Sequence, residues 1–440
     1  MDVDSETMSS AGANIADTEV SSGGIVYLSG ADRTMARSAD GFPFPCLPEP
    51  IIPLPTASGM TVKDDAFLRN FADMTGVKKW IHSEGWDDVE HHPELCFGLT
   101  VSEPDENEHK HATQLVMPNN NVQGRVDRLN DEGWLRRTVG RGYGFMPDSL
   151  GNLKHLTVVD LSHNHISGEL PYSVFDLPLL DRCDLSHNEF FGVIPESLGR
   201  FRGRIVLLQS NALTGPLPSS MGGATALEHC DMSRNKLTGP ISPTLGGCTS
   251  LRTMLLHDNS IAGVLPASFG GLKSIEVFKA QNNRIQGALP SSIGSCKNLR
   301  LLWLQCNMLH GVLPTTLGEC DQLVELRLSS NRLRGPLPST LFDELQHLQR
   351  LWLSFNIIDG TIPARIGCCK SLHELLLDHN RLEGRIPREI AGCCRLELLS
   401  LVSNPAMRGT TLDTDREWLY ETFGNNRFCA HVDPPFSVED

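Results

Sequence analysis

The segment Leu251–Ser274, LRTMLLHDNSIAGVLPASFGGLKS, is one unit of a repeat that runs through most of this sequence. Its asparagine, Asn259, recurs at near-constant spacing. Apolar residues recur 8, 5 and 3 positions before the asparagine and 2 positions after it, with glycine at +4 and usually proline at +7. The recurring asparagines are Asn164, Asn188, Asn211, Asn235, Asn259, Asn283, Asn307, Asn331, Asn356, Asn380 and Asn404, mostly 24 residues apart.

Each part of this unit has a physical reason. The apolar residues at −5 and −3 from the asparagine alternate with polar ones, which is the period of a short strand with one buried face. A buried asparagine satisfies backbone N–H and C=O groups that would otherwise lie unpaired inside the coil. Glycine at +4 permits a turn that a Cβ would strain, and proline at +7 stiffens the return limb. Because each coil leaves apolar edges that only the next coil covers, we predict a solenoid.

The repeat resembles the plant-type leucine-rich repeat (LRR), LxxLxLxxNxLxGxIPxxLGxLxx, over residues 109–410. The segment around Asn120 fits the same frame, and an insertion at about 127–145 follows it. The resemblance implies an α/β repeat fold, a right-handed solenoid of about 12 coils with a parallel β-sheet on its concave face.

The ends of the chain differ from the repeats. Residues 1–60 are acidic and rich in proline, which predicts a disordered tail. Residues 61–108 resemble the N-terminal cap of LRR receptor-like proteins. Extracellular relatives usually bridge two cysteines there, whereas Cys96 has no partner in the residues that follow it. Residues 411–440 contain DTDREWLYETFG, an amphipathic pattern that predicts a C-terminal cap.

Charge and targeting signals bear on the compartment. Of the net charge of −15, most lies in residues 1–110, with 20 acidic and 7 basic side chains. This distribution argues against nucleic-acid or anionic-membrane binding, which requires a basic face. The N-terminus lacks the pattern of a signal peptide, no apolar run reaches the ~18 residues of a membrane span, and no N-glycosylation sequon occurs. We therefore expect an intracellular, cytoplasmic protein without a transmembrane segment.

Five cysteines share one position, 11 residues before the next asparagine. Stacked coils bring them near one another, so a metal or redox ladder is one interpretation and small buried packing thiols are the other, which we favour. These cysteines are Cys248, Cys296, Cys320, Cys369 and Cys393.

Other candidate chemistry is weak. The histidines His91, His92, His109 and His111 lack convergent ligand spacing and are expected to be solvated. GRGYGF (140–145) follows no strand and predicts a loop rather than a nucleotide site. GxSxG, HExxH, P-loop and kinase motifs do not occur. We therefore predict no enzymatic activity and no cofactor or metal.

The outward strand positions carry the strongest functional signal. The residue at −4 from the asparagine is aspartate in Asp160, Asp184 and Asp231, and it changes in mid-array to large apolar, aromatic and cationic residues. Drift on a tolerant surface, or aromatic packing that only stiffens the strands, is the alternative explanation. We favour a binding surface, because this composition is typical of interface hot spots. The predicted partner-binding residues are Leu255, Lys279, Leu301, Trp303, Arg327, Arg350, Trp352, Phe355 and Leu376.

Two functions fit the repeat. The first is a non-enzymatic scaffold that binds another protein or a peptide on its concave face, in intracellular signalling or complex assembly. The alternative is the ligand-recognition part of a receptor-like kinase or receptor-like protein, or a secreted hydrolase inhibitor. The missing signal peptide and sequons favour the first function at this stage.

Overall fold

The computed structural model of the protein describes most of the repeats and parts of the segment before them. The predicted acidic tail, the insertion, the GRGYGF loop and the C-terminal cap lie outside the described residues. The described residues are Leu68, Phe71, 81–84, Trp86, 96–105, 110–120 and 148–407.

Short strands that recur once per repeat form a 13-stranded sheet. Its first pair is antiparallel, and every later pair is parallel with equivalent positions of successive repeats in register. With all strands numbered in chain order, this sheet contains β1 (Leu99–Val101), β2 (Ala112–Val116), β3 (Val158–Asp160), β5 (Arg182–Asp184), β7 (Ile205–Leu207), β9 (His229–Asp231), β11 (Thr253–Leu255), β13 (Val277–Lys279), β15 (Leu301–Trp303), β17 (Glu325–Arg327), β19 (Arg350–Trp352), β21 (Glu374–Leu376) and β23 (Leu398–Ser400).

A second set of parallel strands follows the asparagine of each repeat and forms two further sheets. The four-stranded sheet contains β4 (Ser167–Glu169), β6 (Glu189–Val193), β8 (Ala212–Gly215) and β10 (Lys236–Leu237). The seven-stranded sheet contains β12 (Ala262–Val264), β14 (Arg284–Gly287), β16 (Met308–Gly311), β18 (Arg332–Gly335), β20 (Ile357–Gly360), β22 (Arg381–Gly384) and β24 (Ala406–Met407).

The return limb of each coil is a short helix. Several of these helices start directly after the repeat proline, for example after Pro290 with φ −69°. Successive limbs approach closely, since a Cβ on Gly294 would lie 2.4 Å from the carbonyl oxygen of Thr316. The limbs are an α-helix, Leu341–Glu344, and the 3-10 helices Asp148–Asn152, Val174–Asp176, Glu196–Arg200, Met221–Gly223, Leu245–Gly247, Ala267–Gly271, Ser291–Ser295, Thr315–Glu319, Ala364–Cys368 and Arg388–Gly392.

The apolar positions of the repeat fill one continuous core. In the repeat of Asn307, Leu299, Leu302, Leu304 and Leu309 are fully buried. Leu68, Phe71 and Trp86 of the predicted N-terminal cap belong to the same cluster. The predicted solenoid class is therefore confirmed, with the strands stacked edge to edge and the leucines between the sheets and the return limbs.

The repeat asparagines tie neighbouring coils together. Asn283 donates from Nδ2 to the carbonyl oxygens of Leu256 (3.0 Å) and Ala280 (3.1 Å), and its Oδ1 accepts from the N–H of Ile261 at 2.9 Å. The residue before each asparagine has a left-handed backbone, with φ between 53° and 59°, which directs the asparagine inward. Most of these asparagines are buried. The half-buried ones are Asn211, Asn259, Asn307 and Asn331.

The five equivalent cysteines are buried packing thiols. Each Sγ donates to a backbone carbonyl of the preceding coil, as from Cys393 to Ile366 at 3.1 Å. Burial raises the pKa of Cys393 to about 12, so the thiol stays neutral at physiological pH. Among the described residues, no group of three or more histidine, cysteine or acidic side chains has the arrangement of a metal site.

One of the four cap histidines departs from the sequence-based expectation. The ring of His111 is only 14% exposed and stacks on His155 with 3.8 Å between ring centroids. The expectation of a solvated side chain is therefore wrong for His111, because its ring packs against the next coil. The other three cap histidines lie outside the described residues.

Candidate recognition surface

The outward side of the 13-stranded sheet, which we call the strand face, has two chemically different halves. In the N-terminal half, the −4 aspartates are almost completely buried. Asp160 accepts from the N–H and the Oγ of Ser162 at 3.1 and 2.7 Å, and Asp231 accepts in the same way from Ser233. Each of these carboxylates is thus satisfied within its own coil, two residues along the chain.

Burial and mutual repulsion disfavour the charged form of these acids. Asp160 and Asp184 face each other in register on β3 and β5. Burial, with the charge of Asp184, raises the pKa of Asp160 to about 6. Burial also raises the pKa of Asp184, although Arg182 donates to its Oδ2 at 3.0 Å. This half of the strand face is therefore an acidic column with little accessible surface.

The C-terminal half carries a stack of alternating cations and indoles, which we call the cation–aromatic ladder: Lys279, Trp303, Arg327 and Trp352. These residues occupy one position of four neighbouring strands in register. Lys279 Nζ lies 3.7 Å from the ring centroid of Trp303. Arg327 Cζ lies between the two indoles, 3.9 Å from Trp303 and 4.0 Å from Trp352. Cation–π contacts with both ring faces covered are among the stronger examples of this interaction.

A row of alternating charges runs beside the ladder. Arg350 lies between Glu325 and Glu374 and donates to both carboxylates. Each carboxylate also accepts from an indole, Glu325 from Trp303 Nε1 at 3.0 Å and Glu374 from Trp352 Nε1 at 2.9 Å. Arg327 Nη2 lies 2.8 Å from Glu325. The arginines of this half are therefore already neutralised by carboxylates within the face.

The predicted partner-binding residues all lie on or next to this face, but they differ in exposure. Leu255, Lys279, Leu301 and Trp303 are between 2% and 7% exposed. The sequence-based expectation that Trp303 turns toward a partner needs correction: its ring lies outside the core, yet neighbouring side chains cover both its faces.

The accessible part of the set lies at its C-terminal end. The side chain of Arg350 is 36% exposed, and Arg327, Trp352 and Leu376 are half-buried. The predicted patch is thus shifted toward the last coils, because the central rungs of the ladder are covered by one another.

Phe355 is the most exposed member of the set. It is 53% exposed, and its ring stacks on His379 with 4.1 Å between centroids and an interplanar angle of 14°. Its backbone is left-handed, with φ 56°, a conformation that bulky side chains rarely adopt. The repeat imposes this conformation at every equivalent position, where polar residues such as His379 and Ser330 also occur. A large apolar side chain at this strained and exposed position is a sign of function rather than of packing.

The carboxylates Glu325 and Glu374 are the part of the surface that the predicted set omits. The sequence places each of these glutamates six residues before a repeat asparagine. A neighbouring coil has arginine, Arg350, at the same position and tryptophan, Trp352, two residues later. What the sequence does not show is that each carboxylate bonds both to an indole and to a guanidinium.

The comparisons with known proteins agree with this architecture. The family profile described as Leucine Rich Repeat matches residues 155–177, 179–201, 226–248, 322–343, 347–369 and 371–393. A search of curated protein sequences gives no match. Solved structures give many matches, among them two receptors and one further complex.

The plant peptide hormone receptor RGFR1, solved with RGF2, is 28% identical with a TM-score of 0.55, covering 61% of this chain. The chain is a plant-type leucine-rich-repeat protein. The PEPR1–AtPEP1 complex is 27% identical with a TM-score of 0.59 over 78% of the LRR chain, and a TDR receptor is 28% identical with a TM-score of 0.53 over 59%. The LRR chain spans about half the length of each of these three, 49%, 50% and 49% respectively.

These similar structures bear on the choice between the intracellular scaffold and the receptor-type function. Two of the similar solved structures are receptors and a third is the PEPR1–AtPEP1 complex, so the cytoplasmic expectation gains no support from these three. Among the helices in the described part of the chain, none has the length and apolarity of a membrane span. The prediction of a leucine-rich-repeat protein is confirmed.

Proposed function

We propose that this LRR protein is a non-enzymatic recognition module that binds a peptide or protein segment on the C-terminal half of its strand face, in the manner of a receptor's ligand-binding repeats. The observation that carries the proposal is Phe355, an exposed aromatic side chain on a left-handed backbone, three residues after Trp352. Two similar solved structures are a peptide hormone receptor in complex with RGF2 and the PEPR1–AtPEP1 complex, which supports a peptide as the ligand class.

The charges of the surface favour an apolar anchor on the ligand. Arg327 and Arg350 are neutralised by Glu325 and Glu374, so an acidic ligand side chain would have to displace a protein carboxylate. The accessible groups are the exposed ring of Phe355 and the half-buried side chains of Trp352 and Leu376. Aromatic and apolar anchors in a polar rim are typical of interface hot spots. We therefore propose that the ligand places an aliphatic or aromatic residue against Phe355, Trp352 and Leu376.

A photo-reactive phenylalanine analogue at position 355 tests this proposal in the native cell. We expect a discrete covalent adduct, and we expect it to disappear when Leu376→Asp is added, because a charge beside the anchor disfavours an apolar ligand residue. The same analogue at Phe191, which is 42% exposed on the four-stranded sheet, serves as the matched control. Adducts of equal yield at both positions, or an adduct that survives Leu376→Asp, would reject the proposed site.

An intracellular scaffold is the second candidate, and the cysteines favour it. The eleven described cysteines are free thiols, and Cys306 and Cys394 are exposed. Exposed thiols are uncommon in proteins that work outside the cell. Thiol titration of protein isolated from its own cells separates the two compartments. Close to 13 free thiols after unfolding, the number of cysteines in the chain, would favour a reducing compartment, whereas several disulfides would favour the receptor-type alternative.

A further inference from the structure

The outer side of the seven-stranded sheet carries a cluster of basic side chains that the strand-face function does not use. Arg284 lies on β14, His310 on β16, and Arg332 and Arg334 on β18. All four are exposed, because they alternate with buried apolar residues such as Leu333. We call this cluster the outer basic patch. It lies on a different sheet from the cation–aromatic ladder.

Within the described part of the chain, the arginines of the outer basic patch have no carboxylate partner. Among the described residues, no carboxylate oxygen lies within 4.0 Å of a side-chain nitrogen of Arg284, Arg332 or Arg334. Several arginines elsewhere do form ion pairs. Arg200 lies 2.7 Å from Asp176, and Arg350 bonds two carboxylates on the strand face. The protein has a net charge of −15, yet these guanidinium groups have no carboxylate partner within the ranges that the structure describes. They are therefore available to bind an anionic group of a ligand.

Sheet geometry brings the patch together. His310 is in register with Arg332, and Arg334 is in register with Ile357 of β20. Neighbouring strands lie about 4.8 Å apart, and alternate residues along one strand lie about 7 Å apart. Arg332 and Arg334 therefore present two guanidinium groups at the spacing of alternate side chains in an extended peptide. The exposed side chains of Met308 and Val312, 38% and 54% accessible, provide apolar contact beside the charges.

The opposite half of the solenoid offers no equivalent. The four strands of the other outer sheet contain no arginine, and their charged residues are Glu169, Glu189 and Lys236. The patch is therefore local to one part of the array rather than a general property of the repeat. Asp359 lies in register with Arg381 on the far side, so the arginines of the patch lie on β14 and β18, with His310 of β16 between them.

We infer that the outer basic patch is a second docking surface, and that its occupant is an acidic, extended polypeptide segment of a partner protein. Alternate carboxylates of such a segment would reach Arg332 and Arg334 while its intervening residues contact Met308 and Val312. Guanidinium–carboxylate pairing supplies the charge complementarity, and the two-residue repeat of a strand supplies the spacing. The strand face and the outer basic patch would thus bind ligands of different chemistry on different sheets.

Fluorescence anisotropy with a labelled peptide of alternating glutamate and threonine tests this inference on the full chain. We expect saturable binding that weakens as NaCl rises from about 0.05 to 0.3 M, because salt screens exposed charges. Arg332→Gln with Arg334→Gln should weaken binding about tenfold, and Arg284→Gln alone about two- to threefold. Exposed substitutions of this kind leave the fold intact, which circular dichroism checks.

The matched control is Arg200→Gln with Arg204→Gln, which removes two exposed arginines that already have aspartate partners. This variant should bind the peptide like the wild type. No saturable binding by the wild type, or equal losses in both double variants, would overturn the inference. Tighter binding of a single-stranded DNA of the same charge would overturn it in favour of a nucleic-acid surface.

Discussion

The two halves of the strand face fill the same repeat position in opposite ways. In the N-terminal half, Asp160 and Asp231 bond to serines of their own coil, and Leu207 separates Asp184 from Asp231. In the C-terminal half, Arg327 and Arg350 each contact side chains of the coils before and after their own. The difference teaches that the strand-face acids of one half are satisfied mainly within single coils, whereas side-chain contacts of the other half link four to five coils.

The largest expected effect comes from Glu325→Gln. The substitution removes the charge that compensates Arg327 and Arg350, and Glu325 is only 7% exposed. Breaking one member of a buried ion network typically costs about 3 kcal/mol or more. We expect a loss of about 3 kcal/mol in the free energy of unfolding, measured by urea denaturation.

The control for Glu325→Gln is Glu319→Gln on the return limb. Glu319 pairs with Lys297 at 3.0 Å, and both side chains are more than half exposed. A loss below about 0.5 kcal/mol is expected for such a pair. Equal losses for Glu319 and Glu325 would show that the C-terminal half is not a coupled network.

The next effect is common to both halves. Asn188→Ala and Asn380→Ala each remove an amide that donates to backbone carbonyls of two coils and accepts one backbone N–H. Because orphaned buried groups cost about 1–3 kcal/mol, we expect a loss of about 2 kcal/mol for each. Thermal and urea unfolding should give the same loss in both halves. A loss in only one half would show that the asparagines do not share one structural role.

A smaller effect depends on pH and belongs to the N-terminal half. The pKa of Asp160 is raised to about 6 in the folded protein, so the folded state binds more protons than the unfolded state between about pH 4 and 6. Stability should therefore fall as pH rises through this window, by at most about 3 kcal/mol. Asp160→Asn should remove this contribution and raise stability at pH 7. Unfolding curves with the same pH slope for wild type and variant would contradict the assignment.

The smallest effect compares serines at equivalent positions. Ser162→Ala removes a hydroxyl that donates to Asp160 at 2.7 Å and should cost about 1–2 kcal/mol. Ser329→Ala lies beside the ladder, where arginine rather than aspartate occupies the −4 position, and should stay within about 0.5 kcal/mol of the wild type. An equal change in melting temperature for the two variants would show that the two halves do not differ in how their polar groups are satisfied.

The repeat frame was predictable because its residues recur at a regular spacing along the sequence. The positions of Leu302, Leu304 and Asn307 follow from a 24-residue period and a strand periodicity of two. The columns Lys279–Trp303–Arg327 were predictable for the same reason. The sequence did not predict that these side chains cover one another. The orientation of each ring and guanidinium group depends on the rotamers of residues that are 24 or more positions apart in the chain. The sequence therefore overestimated the accessibility of Trp303.

The compartment was the least predictable property. The expectation rests on the missing signal peptide, membrane span and sequons and on Cys96, whereas the structural neighbours are matched by their fold. Function in a solenoid depends on outward side chains, and these carry no signature of the compartment in which they work.

The affinity of the ligand captured at position 355 tests the central claim, that the C-terminal end of the strand face is the recognition site. Trp352→Ala with Phe355→Ala should weaken binding by roughly 30- to 1,000-fold, the range for central aromatic anchors. Trp303 is unsuitable for this purpose, because its burial within the ladder would confound binding with stability. The matched pair on the other half, His229→Ala with Thr253→Ala, should change the dissociation constant less than about threefold. Equal losses in both pairs, or full affinity without Trp352 and Phe355, would contradict the account.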